Sequence, residues 1–211
     1  MAVSYSYAWT CGLKTFTPHW CLLLAFLFFC FGCKTNYENL PAYSANKQVQ
    51  VVVLTPAGTN HPQSYNPKSQ EFEPQQNAGL AEEIKFLPFP GNFGFIPSTD
   101  LRINNLSTSK PLEAIVLAEQ APVGTIYETT PLATLLVETA GELKYIVVAV
   151  PSRPSEQIIS ATDLASFSAN YPAAKEIIQR WFIAAFKHKS YKFIGWKDER
   201  FTEQLIQKYL K

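Results

Sequence analysis

The sequence predicts an α+β domain in which the strands come first and the helices come last. Gln48–Leu54 is rich in β-branched residues and predicts the first strand. Further apolar runs of strand length lie at Leu112–Ala118, at Lys144–Val150 and within Thr125–Val137. A sustained helical period appears only from Pro172 onward. This order favours a barrel or curved sheet with the C-terminal helices packed outside it.

The later elements have signals of their own. Pro131 is expected to interrupt the run that contains it, because proline cannot donate to a strand ladder. Pro172 can begin a helix, because the N–H groups of the first turn have no hydrogen-bond acceptor within the helix and proline lacks only that group. Apolar residues at helical spacing carry that helix to about His188. A short strand at Lys192–Trp196 and a last helix capped by Asp198 complete the chain.

Composition and charge exclude some classes of function. The chain has 211 residues, with 18 Lys and Arg against 17 Asp and Glu, so its net charge is +1. This balance argues against a nucleic-acid partner, which usually needs a clustered basic surface. The four cysteines lie together near the start of the chain, at Cys11, Cys21, Cys30 and Cys33. The domain that follows can therefore form neither a disulfide nor a thiolate metal site.

An uncharged apolar stretch occupies residues 20–32. It is short for a bilayer span, which needs roughly 20 residues, but suits the hydrophobic region of a signal peptide. It ends in Gly32-Cys33, which resembles the cleavage site of bacterial lipoproteins. That resemblance implies that residues 1–32 are removed and that Cys33 is lipidated. The protein would then be held on a membrane of the cell envelope, outside the cytosol. A plain signal peptide and an uncleaved anchor are the alternatives.

Under this interpretation the chain has three parts: residues 1–32 as signal peptide, residues 33–47 as a polar tether, and residues 48–211 as the folded domain. The most informative motif of the domain is Phe89–Thr99, which reads FPGNFGFIPST, followed by Lys110–Leu117, which reads KPLEAIVL.

These two segments resemble the signature of soluble inorganic pyrophosphatases. There, an aromatic-Pro-x-Asn-Tyr-Gly-Tyr/Phe-Ile segment leads into Asp-x-Asp-Pro-x-Asp-Val-Leu-Val. The later pairs Phe186-Lys187 and Gly195-Trp196 follow the order of the family's Tyr-Lys and Gly-Trp pairs. The resemblance implies an OB-like β-barrel flanked by helices. For an active member it also implies hydrolysis of pyrophosphate with several Mg²⁺ ions held by carboxylates.

Most of the family's charged groups are replaced in this chain. Thr108 and Lys110 stand where the resemblance places the first two aspartates, and Glu113 retains the third as a longer acid. The second acid cluster leaves Glu142 as a candidate. The resemblance therefore implies Glu113 and Glu142 as metal ligands, and Glu113 and Lys187 as catalytic groups, if activity is retained.

Other substitutions point the same way. Phe93 and Phe186 replace tyrosines of the family, lack their hydroxyls, and are expected to be core aromatics. Lys110 is the most consequential change. An ammonium about 6 Å from a divalent ion would repel it by roughly 5 kcal/mol at an effective dielectric constant near 20. Lys110 can instead attract a phosphate directly, without a metal.

Three functions follow from the sequence. The favoured one is a pyrophosphatase-like envelope lipoprotein with reduced or lost catalysis, which binds pyrophosphate or another phosphorylated ligand or supports an envelope assembly. The second is an active Mg²⁺-dependent inorganic diphosphatase. The third is an unrelated OB-like ligand-binding barrel.

Overall fold

The structure is a computed structural model that describes residues 35–77, 79–84, 87–101, 110–185 and 191–211. The predicted signal peptide, Cys33, Thr108, Phe186 and Lys187 lie outside these ranges. Within them, no helix is long and apolar enough to cross a bilayer.

A ring of five strands forms the centre of the domain. In the described chain the strands are β1 (Val49–Thr55), β2 (Gln63–Asn66), β3 (Glu71–Pro74), β4 (Gln76–Asn77), β5 (Leu80–Ala81), β6 (Asn92–Ile96), β7 (Leu112–Val116), β8 (Ile126–Thr139), β9 (Glu142–Pro151) and β10 (Lys192–Lys197). The ring has the order β1-β6-β7-β9-β8 and closes because β8 also pairs with β1. Strand β10 pairs with β8 outside the ring. Only the β7–β9 pair of this sheet is parallel among the described strands.

Three α-helices follow the ring in the described residues: α1 (Leu164–Asn170), α2 (Pro172–Ala185) and α3 (Glu199–Lys208). The predicted start of α2 at Pro172 is confirmed. So is the cap of α3, where the Asp198 Oδ1 atom accepts the Phe201 N–H at 2.9 Å. Helix α1 was not predicted from the sequence.

The predicted interruption at Pro131 is wrong. Strand β8 continues through this residue, and its pairing with β9 shifts register between Pro131 and Ala133. An irregularity of this kind removes the need for an N–H at one ladder position, so the strand tolerates a proline there.

The alternation of side chains along β7 separates two cores. Leu112, Ala114 and Val116 belong to a core with α3, whereas Ile115 belongs to a core with α1 and α2. Because successive side chains point to opposite faces of a strand, Glu113 shares the face of Ile115. The retained acid of the motif therefore lies on the α2 side of the sheet.

The compact unit runs from Thr35 to Lys211. The described part of the segment predicted as a tether is packed on the domain. The Ser98 hydroxyl donates to the Leu40 carbonyl at 2.7 Å, and the Gln50 N–H donates to the Ala42 carbonyl at 2.7 Å. Ala42 itself is buried.

Candidate functional site

Asn92 is the polar residue at the centre of the FPGNFGFIPST motif, and it is wholly buried. Its Oδ1 atom accepts the N–H groups of Ala57 at 3.1 Å and Ala121 at 2.9 Å. Its Nδ2 atom donates to the Glu119 carbonyl at 2.7 Å. These three bonds join the chain after β1 to the chain after β7, so the amide serves the backbone of the barrel.

Gly94 is required by the close approach of two strands. A Cβ atom at this position would lie 1.9 Å from the Val52 carbonyl oxygen. Gly94 faces Val53 in the β1–β6 ladder, so the motif's glycine permits the pairing of these two strands of the ring. Asn92 and Gly94 together explain why the signature persists as a structural frame.

Glu113 and Lys144 form the charged centre of the candidate site. Glu113 of β7 lies opposite Ile146 of the parallel strand β9, and Lys144 shares the face of Ile146. The Lys144 Nζ atom lies 3.9 Å from Glu113 Oε1, which is an ion pair but too long for a hydrogen bond. The Lys144 side chain is 28% exposed. The Glu113 charge raises the pKa of Lys144 above its ordinary value and outweighs the lowering by burial.

Tyr191 completes the centre from the segment before β10. Its side chain is hydrogen-bonded to Lys144, whose ammonium lies 5.5 Å from the centre of the Tyr191 ring. Burial raises the pKa of the Tyr191 phenol and outweighs the lowering by the Lys144 charge. Both groups are therefore protonated at neutral pH, as an ammonium and a phenol.

Tyr191 was not predicted as a site residue from the sequence. The predicted pair Phe186-Lys187 lies outside the described residues, and Tyr191-Lys192 follows it in the sequence before Gly195-Trp196.

The charged site residues predicted from the sequence, as far as the structure describes them, meet at one small cavity. Lys110, Glu113 and Glu142 line it together with Lys144, and its volume is about 40 Å³. Phe93 lies elsewhere, half-buried in the α2-side core, with its ring centre 5.5 Å from that of Phe89 and 6.1 Å from that of Phe182.

The described donor set does not fit a Mg²⁺ centre of the family's kind. Mg²⁺ requires a near-octahedral set of oxygen ligands. No group of three or more His, Cys, Asp or Glu side chains that could hold a metal occurs in the described part of the chain. The carboxylate of Glu113 faces Lys144, and Lys110 lines the same cavity.

Comparisons with known proteins agree with this fold. The family model of inorganic pyrophosphatase matches residues 51–211. The inorganic pyrophosphatase of Thermus thermophilus is 26% identical over 178 residues, which cover 78% of this chain and 90% of that protein.

Solved structures are similar as well. The T. thermophilus pyrophosphatase structure has a TM-score of 0.68 at 23% identity, covering 82% of this chain and 95% of its own. A Neisseria gonorrhoeae inorganic pyrophosphatase has a TM-score of 0.68 at 20% identity, and the match covers 83% of this chain and 96% of that one. A Trypanosoma cruzi vacuolar soluble pyrophosphatase in complex with PPi has a TM-score of 0.70 at 16% identity, and the match covers 83% of this chain and 76% of that one. These likenesses confirm the predicted OB-like barrel. Because the family model spans well over half of its length, the chain belongs to the inorganic pyrophosphatase family.

Proposed function

We propose that this protein is an envelope lipoprotein of the inorganic pyrophosphatase family whose Mg²⁺-dependent hydrolysis is reduced or lost. The observation that carries the proposal is the composition of the cavity at the start of β7 and β9. Its retained acid, Glu113, pairs with Lys144, and Lys110 stands where the family resemblance places an aspartate. Attack of water on pyrophosphate depends on metal ions that lower the pKa of that water and neutralise developing charge.

The electrostatics of the cavity disfavour divalent cations. An entering Mg²⁺ would meet the ammonium groups of Lys110 and Lys144 and gain the carboxylates of Glu113 and Glu142. One ammonium about 6 Å away repels a divalent ion by roughly 5 kcal/mol at an effective dielectric constant of 20. Lys110 is exposed, so solvent screening makes this figure an upper bound for its effect. A replaced aspartate removes an attraction of the same size.

Turnover tests the proposal directly. The full chain, purified in detergent, is incubated with pyrophosphate, and phosphate release is measured with Mg²⁺ and with EDTA. The T. thermophilus pyrophosphatase is the positive control. We expect release close to the blank without protein under both conditions. Mg²⁺-dependent release that a Glu113→Gln substitution abolishes would overturn the proposal. The active diphosphatase, which family membership favours, would then be the function.

The anchor is tested separately by metabolic labelling with an alkyne fatty acid. We expect label on the protein and its recovery in the membrane fraction. The label should be lost on Cys33→Ala and retained on Cys30→Ala, a matched cysteine in the same apolar stretch. Equal labelling of both variants would contradict acylation of Cys33.

A further inference from the structure

The first residues of the domain are attached to the hairpin that β2 forms with β3. The Tyr65 hydroxyl on β2 donates to the Thr35 carbonyl at 3.1 Å and accepts the Tyr37 N–H at 3.3 Å. One hydroxyl therefore fixes the backbone on both sides of residue 36 to this hairpin.

Aromatic packing adds to the attachment. The centre of the Tyr37 ring lies 5.5 Å from that of Tyr65 and 5.0 Å from that of Phe72, which is the partner of Tyr65 across the hairpin. The Tyr65 ring is stacked in turn on Phe95 of β6, with the ring centres 6.3 Å apart. The start of the domain, the hairpin and the barrel are therefore packed together as one unit.

Very little chain separates this unit from the proposed lipid anchor. A flexible tether over residues 33–47 would reach up to about 50 Å. Because the chain is packed from Thr35 onward, only Lys34 stands between it and Cys33 in the sequence. Two residues of chain span at most about 7 Å. An acyl group on Cys33 would therefore bring Thr35, and the hairpin that holds it, close to the lipid headgroups.

We infer that the β2–β3 hairpin lies against the headgroup surface of the bilayer and so orients the domain on the membrane. The inference rests on the proposed function, because it requires the anchor at Cys33. The hairpin contains Lys68 as well as Glu71 and Glu73, so it has no excess of basic side chains. Attraction to anionic lipids needs such an excess. The short covalent link, and not charge, is therefore what holds the hairpin at the surface.

Strand β10 supplies a reference surface on the other side of the barrel. It pairs with β8, and β8 does not border β6, the strand on which the hairpin packs. Ile194 of β10 and Ser64 of β2 are both exposed. The chain has no cysteine after Cys33, which acylation blocks, so a cysteine introduced at either position is the reactive thiol of the processed protein.

Proximity to the bilayer is measured by fluorescence quenching. The full chain with Ser64→Cys or Ile194→Cys is labelled with bimane and reconstituted into phosphatidylcholine vesicles. A fraction of the phosphatidylcholine carries a nitroxide on its headgroup as the quencher. We expect the label at position 64 to lose most of its fluorescence and the label at position 194 to keep nearly all of it. Thermal melts verify that each variant is folded.

Lengthening the link tests its role. About ten Gly and Ser residues inserted between Lys34 and Thr35 add a root-mean-square span of roughly 17 Å. This insertion changes no contact within the packed unit, and it should restore most of the fluorescence at position 64. The same residues appended after Lys211 form the matched control and should leave the quenching unchanged.

Two results would overturn the orientation: equal quenching at the two positions, as when protein covers the hairpin, or quenching at position 64 that survives the insertion. Fatty-acid labelling keeps the proposals distinct. A protein without the label contradicts the anchor and the orientation with it. A labelled protein with either quenching result contradicts the orientation alone.

Discussion

Replacing Asn92 by alanine is expected to lower the free energy of unfolding by about 4 kcal/mol, although its motif belongs to the family's catalytic signature. The Asn92 side chain is fully buried and makes three hydrogen bonds to backbone groups. The Ala121 N–H bond is buried, so its loss costs about 1–3 kcal/mol. The bonds to Ala57 and Glu119 are partly buried, and each contributes about 0.5–1.5 kcal/mol.

Urea denaturation followed by circular dichroism measures this loss. With a slope of about 2 kcal/mol per molar, the midpoint should fall by about 2 M. A loss of this size is a large fraction of the roughly 5–15 kcal/mol typical of a domain.

Asn66 provides a matched control on the β2–β3 turn. Its side chain also makes three hydrogen bonds, but those to Lys68 and Glu73 are exposed to solvent and the one to Ser69 is long, at 3.4 Å, and only partly buried. Water can replace exposed bonds, so Asn66→Ala should change stability by no more than about 1 kcal/mol. Equal losses in the two variants, or a loss below about 1 kcal/mol for Asn92→Ala, would refute the assignment of a structural role.

Three further predictions concern the frame and the charged centre. Gly94→Ala should destabilise the barrel by more than about 3 kcal/mol, because its Cβ would lie 1.9 Å from the Val52 carbonyl oxygen; a normal yield and melting temperature would contradict this. Asp198→Ala should lower stability by about 1 kcal/mol through loss of the α3 cap, measured by urea denaturation. Stability should fall as the pH rises above about 10. The pKa of Lys144 is raised in the folded state, so its contribution to stability is complete below the unfolded pKa of 10.5 and is lost as the pH rises through the folded pKa. The pKa of Tyr191 is also raised in the folded state, so ionisation of the phenol above pH 10.0 favours the unfolded state in the same way. Urea titrations at about pH 8 and pH 11 test this, and Tyr191→Phe should reduce the difference.

Local chemistry was sufficient to predict much of the fold from the sequence. The β-branched run at the start of the domain predicted β1, which the structure has at Val49–Thr55. Pro172 and Asp198 predicted the starts of α2 and α3, because first-turn proline and side-chain caps act on backbone groups only a few residues away. The order of strands before helices then predicted the α+β class.

Elements that depend on distant contacts were harder to predict. Pro131 is unfavourable to a strand by local rules, yet β8 continues because its neighbour β9 accommodates a register shift. Helix α1 has only seven residues, too few for a clear apolar period, and its capping box of Asp163 and Ser166 defines it instead. Tyr191 reaches Lys144 from a segment almost fifty residues later in the chain, so no local pattern placed it at the site.

The frame and the chemistry of this family's signature can be separated because they act on different atoms. Asn92 and Gly94 act on backbone groups of the barrel, so replacing either would disturb the fold whatever the protein binds. The resemblance places several acids of the family's motif close together, where their mutual repulsion is tolerated only while metal ions offset it. If the metals are lost, as proposed above, a lysine such as Lys110 would relieve that repulsion, and the pairing of Glu113 with Lys144 compensates the charge of Glu113. Under the proposed loss of metal-dependent hydrolysis, the structural residues would still be required by the fold, whereas the acids could be exchanged.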